Sequence, residues 1–135
     1  MTTGSWDPDS KKSASNITVD GELLRRLLTI AEGPDLMQLE TQMSEQDQKQ
    51  NAIMQADLPA WQSALGDYSD EQLIALIRFF TLVEMKLGHW VGGAKSPVIY
   101  INKILRSRGS KLDKEMLLWI KQHSDNRFIP NGSPF

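Results

Sequence analysis

The segment from Leu73 to Leu87 constrains the fold more than any other. Ser69 and Gln72 precede it at the spacing where a serine hydroxyl and a glutamine amide cap a helix N-terminus reciprocally. Behind them the chain reads Leu73-Ile74-Ala75-Leu76-Ile77-Arg78-Phe79-Phe80, which predicts a helix from about Asp70 to Leu87, ended at Gly88. On a wheel of about 100° per residue, Leu73, Leu76, Ile77, Phe80, Val83 and Leu87 fall in one arc, while Ile74, Phe79, Leu82 and Met85 occupy the remainder. A helix apolar on nearly every side belongs at the centre of a structure. It does not read as a membrane span, because Arg78, Glu84 and Lys86 interrupt it and it falls short of the about 20 apolar residues that a span needs.

The rest of the chain offers partners of the same kind. Leu23, Leu24, Leu27, Leu28 and Ala31 recur at helical spacing after Asp20, a suitable N-cap, with Gly33 just past their end. Pro34 then suits the first turn of a second helix carrying Leu36, Leu39 and Met43. Residues 44–51 contain no apolar side chain and no Gly or Pro, so either that helix continues to about Ala56 or it breaks into a polar loop; the helix propensity of Gln, Glu and Lys favours continuation. Asp57 and Pro59 open a short helix with Trp61 and Leu65, closed by Gly66. Ser96 and Pro97 open another that runs to Arg108 and ends at Gly109, and a last one starts near Asp113 and carries Met116, Leu117, Trp119 and Ile120. No segment alternates with period two and no internal repeat is visible. The expectation is an all-α bundle of five or six helices around the central helix at about 70–87. Residues 1–16, rich in Ser, Asp, Lys, Gly and Pro, read as a disordered tail, and 17–135 as a single helical domain.

Several chemistries are disfavoured. The chain of 135 residues has no cysteine, which excludes disulfides, thiolate metal sites and cysteine nucleophiles. His89 and His123 lack metal-ligand spacing, and neither a nucleophile elbow nor a dinucleotide fingerprint is present. Met37, Met43, Met54, Met85 and Met116 are scattered and read as core filling. Gly88-His89-Trp90-Val91-Gly92-Gly93-Ala94-Lys95-Ser96 approaches a phosphate-binding loop, but Ala94 spoils the spacing and a helix rather than a strand precedes it. A small anion held by Lys95 and the amides near Pro97 is the weaker form of that idea. No metal and no cofactor are expected, and the protein is expected not to be an enzyme. The Met1 end has no basic region followed by an apolar stretch, so the compartment expected is the cytoplasm.

Three features remain as candidates. Glu84 falls inside the apolar arc of the central helix, where a carboxylate must be paired, hydrogen-bonded or protonated. It reads either as a perturbed acid in a pocket or as a structural carboxylate. Ile99 and Leu118 lie off the apolar stripes of their helices and, if neighbours, form an apolar patch for self-association or an unknown protein partner. The third feature is charge. The net charge of -2 conceals a division: residues 1–94 carry 7 basic and 14 acidic side chains, whereas 95–127 carry 8 basic and 3 acidic. Lys95, Lys103, Arg106, Lys111, Lys114 and Lys121 form the candidate basic face, and two helices joined by a glycine turn resemble a helix-turn-helix in outline. Two functional readings emerge: a small interaction module, with self-association one form of it, or a nucleic-acid-binding protein that uses the basic C-terminal helices.

Overall fold

The reciprocal cap expected at Ser69 is present in the computed structural model, which describes residues 17–132: the Ser69 hydroxyl accepts from the Gln72 amide at 3.1 Å, and the Gln72 side chain accepts from the Ser69 amide at 2.9 Å. It starts the longest helix of the chain. In order, the elements are α1 (Gly21–Glu32), a 3-10 turn (Leu36–Gln38), α2 (Leu39–Gln42), α3 (Glu45–Gln48), a 3-10 segment (Asn51–Gln55), α4 (Leu58–Leu65), α5 (Asp70–Lys86), a 3-10 turn (Gly93–Lys95), α6 (Pro97–Ser107) and α7 (Lys114–His123). All regular structure among the described residues is helical, as expected. The N-terminal tail read from residues 1–16 lies outside the described residues.

Helix α5 occupies the centre. Its Leu73, Leu76, Ile77, Phe79, Phe80 and Val83 are wholly buried. Helices α1 and α6 pack most extensively against it, α2 and α7 also lie on it, and α4 packs on α6. Trp61 of α4 meets Phe80 edge-on with ring centroids 5.4 Å apart, and Phe80 meets Phe79 in the same way at 5.3 Å, the arrangement that aromatic quadrupoles favour. Asp20, Ser96 and Asp113 cap α1, α6 and α7 through their side chains.

The second helix does not run from Pro34 to Ala56. It breaks after Gln42, where Met43 turns extended, and Ser44 starts a new turn by accepting from the Asp47 amide at 3.0 Å. Side-chain hydrogen bonds to distant elements hold the polar stretch in this form. Arg26 of α1 donates from Nε and Nη2 to the two Asp47 oxygens at 2.9 and 3.0 Å, a bidentate pair that draws α3 onto α1 and raises the Arg26 pKa. The Gln48 carbonyl accepts from Trp90 Nε1 at 2.9 Å and pairs with His89 Nε2 at 2.8 Å, while Asn51 and Gln55 donate to the His89 and Val91 carbonyls. The run without apolar side chains is thus a polar lattice joining α1 to the loop after α5.

Ile99 is buried, at 3% exposure, so it is not part of a surface patch; Leu118, at 57%, stands exposed without it. The segment Phe128–Gly132 covers Ile99. Asn102, on the same side of α6, donates to the Pro130 carbonyl at 3.1 Å, and Gly132, with φ of +91°, lies so close that a Cβ there would sit 3.4 Å from Ile99 Cγ2. A wheel of α6 alone contains no information about this strap.

Candidate functional site

The glycine connection after α5 was one candidate for an anion, and its geometry identifies the anion it holds. Gly92 and Gly93 both donate their amides to Glu84 Oε2 at 3.0 Å, and Asn126 donates to Glu84 Oε1 at 3.1 Å and to the Gly93 carbonyl at 3.0 Å. The loop cradles the chain's own carboxylate. Glu84 is therefore structural, half-buried and fully engaged, and the amides that a phosphate would need are occupied. Lys95 is occupied too: its Nζ lies 2.8 Å from Asp57 Oδ1, whose hydrogen bond raises the Lys95 pKa. This removes Lys95 from the basic face.

Asn126 also orients the chain beyond it. Its Oδ1 accepts from the Phe128 amide at 2.9 Å and its own amide donates to Ser124 Oγ at 2.9 Å, a local turn that leaves Arg127 exposed while Phe128 leads into the strap over α6. A depression of about 260 Å³ opens where the strap approaches α6 and α7, lined by Asn102, Arg106, Lys111, Leu112, Leu117 and Asn131. A second, of about 400 Å³, has Lys121, Arg127, Phe128 and Gly132 among its walls and shares Leu117 and Asn131 with the first. The two adjoin along these shared residues as one basic surface, the groove. Its walls bring together four cations, Arg106, Lys111, Lys121 and Arg127, and no carboxylate. Nor does any of the four form an ion pair with a carboxylate among the described residues. Asp125 comes near only in a neighbouring depression, which it lines with Lys121 and Arg127.

Three of the six expected basic residues, Arg106, Lys111 and Lys121, thus meet in one place. The other three do not. Lys95 is paired, Lys103 stands over the Tyr100 ring at 5.9 Å, and Lys114 is exposed at the start of α7 outside the groove. Arg127 joins the site although it comes after the last helix, where helical phase says nothing of direction. Arg108 is engaged elsewhere: it donates to the Tyr68 carbonyl at 2.7 Å and to Asp70 at 3.1 Å, tying the end of α6 to the start of α5.

His123 closes back on its own helix. Its Nδ1 pairs with the Trp119 carbonyl at 2.8 Å and its ring stacks on the Trp119 indole at 4.3 Å. Among the described residues no group of three His, Asp or Glu side chains is arranged to hold a metal ion, and no helix is long and apolar enough to cross a membrane. The chain matches no known family model, and no curated protein and no solved structure is significantly similar to it.

Proposed function

We propose that this protein is a non-enzymatic binding module whose working surface is the basic groove between α6, α7 and the strap, and that its partner is a nucleic acid. One observation carries the reading: four cations, from α6, from α7 and from the turns before and after α7, line two adjoining depressions that have no carboxylate in their walls. Such a cluster repels itself when empty and is stabilised when phosphates enter it, releasing counterions. The remainder of the chain is acidic, so the field favours approach from this side. Asn131, exposed on the strap, adds an amide group to the groove, and Leu117 and Phe128 add apolar surface, a mixture suited to sugars and bases as well as phosphate.

Self-association through Ile99 and Leu118 has less support, since Ile99 is covered. The test is fluorescence anisotropy of labelled duplex DNA and single-stranded oligonucleotides at about 50 mM salt, where electrostatic binding is strong. Binding that is lost on charge reversal at Arg106, Lys111, Lys121 and Arg127, with helical circular dichroism retained, is the expected result. Absence of binding to every nucleic acid form overturns the reading.

A further inference from the structure

We infer that the groove takes a single strand rather than a duplex, with Trp119 as a platform on which one base stacks. The inference rests on the nucleic-acid reading of the groove. It comes from a third depression, of about 340 Å³, which lies against α5 and has Ile74, Arg78 and Trp119 in its walls. This depression shares Lys111 and Leu112 with the groove. The shared residues belong to the turn before α7, so the path crosses the N-terminal end of that helix. Glu115 and Trp119 line it on one flank of α7, and Leu117 and Lys121 on the other.

That shape discriminates between ligands. A helix is about 10 Å across, and a path that passes from one flank to the other over its end bends within that distance. Duplex DNA, stiff over about 150 base pairs, would have to kink sharply within a few base pairs to follow, which its stiffness opposes. A single strand can follow, and it also exposes base faces that a duplex keeps within its own stack. The path supplies surfaces for such faces. Trp119 is half-buried, in contrast to the wholly buried Trp61 and Trp90, and His123 braces its ring by stacking on it. Phe128, also half-buried, stands beside Lys121 and Arg127 at the far end. Cations between half-exposed aromatic rings are the recurring arrangement of single-strand binding surfaces.

Two carboxylates, Asp113 and Glu115, also line the Trp119 depression. Both are exposed and oppose a phosphate there; Asp113 also caps α7, accepting from the Met116 amide at 2.8 Å, which leaves Glu115 as the one to change without loss of a cap. Neutralising it should tighten binding.

The experiment titrates the full chain carrying Trp6→Phe with oligothymidylate. Trp61 and Trp90 are shielded, so quenching of the remaining fluorescence reports contact at Trp119. Affinities are read in parallel by anisotropy of the labelled strand and of its duplex. The expected results are quenching, tighter binding of the strand than of the duplex, a loss of about five- to 150-fold in strand affinity for Trp119→Ala, and a smaller loss for Trp119→Phe. Glu115→Gln should bind more tightly than the parent. Circular dichroism checks the fold of each variant, and Phe128→Ala, which should also weaken strand binding, gives a second reading if Trp119→Ala does not fold. Equal affinity for duplex and strand, with Trp119→Phe and Phe128→Ala at parental affinity, would overturn the stacking inference and leave a phosphate-binding groove. No binding of either form would remove the functional reading itself.

Discussion

A carboxylate facing the inside of a helical bundle needs donors. Glu84 finds three hydrogen bonds, two from consecutive glycine amides and one from Asn126, and so links α5, the loop after it and the segment that leads to the strap. A glutamine in its place keeps one oxygen for the amides but turns its own NH2 toward the Asn126 NH2. Glu84→Gln should therefore cost on the order of 1 to 3 kcal/mol in urea unfolding, and an unchanged midpoint would show the network to be unimportant. The same loop tolerates little: a Cβ on Gly92 would lie 2.7 Å from the Ser96 Cα, inside contact with backbone. Asp70 offers a different measurement. Its hydrogen bonds from Ser110 and then Arg108 hold its pKa below the ordinary 3.8. A carboxyl whose folded pKa is lowered adds stability above its unfolded value and loses it as pH falls through the folded one. The melting-temperature gap between wild type and Asp70→Asn should be full above about pH 5 and close progressively in stronger acid. A gap that is constant across this range would rule out the charged contact as its source.

At the scale of elements, the strap Phe128–Gly132 changes what α6 and α7 present. It converts Ile99 from a candidate surface residue into core and, on its way, contributes Phe128 and Asn131 to the groove. The two aliphatic positions should consequently respond in opposite ways. Ile99→Lys drives an ammonium under the strap and should lower stability by several kcal/mol, or expel the strap. Leu118→Lys, on the exposed side of α7, should stay within about 0.5 kcal/mol of the parent in thermal or urea denaturation. Equal tolerance of both would mean that the strap does not cover α6 in solution. Arg26, Asp47 and the amides of the polar stretch act on the same scale, pinning short helical turns that have no strong propensity of their own to distant parts of the chain.

Across the whole molecule the decisive property is the separation of charge. Acidic residues dominate the first two thirds of the chain, several of them tied into ion pairs, while the groove cations remain unpaired among the described residues. If all four contact phosphates, log affinity should fall by roughly 2.8 per tenfold rise in salt on a single strand and by about 3.6 on a duplex. Each single reversal in the groove should reduce that slope by about one contact, whereas Lys103→Glu should leave the slope of the groove intact. Binding that is insensitive to salt would show that these cations do not meet the ligand.

The helical class, the central helix and its cap were legible in the sequence because they depend on neighbours three and four residues apart. Charge segregation was legible for the same reason, being a matter of order along the chain. What α6 and α7 present to solvent was not. Ile99 is buried by residues about thirty positions later, Lys95 is paired with a residue nearly forty positions earlier, and Arg127 enters the groove from a loop that has no helical phase. The break after Gln42 depends likewise on Arg26, His89 and Trp90, since a polar stretch with fair helix propensity takes whichever conformation its long-range partners can hold. Local periodicity determines which elements form and which of their faces are apolar. Which polar and charged groups stay available for a ligand is decided by contacts between elements, and these exist only once the chain has folded.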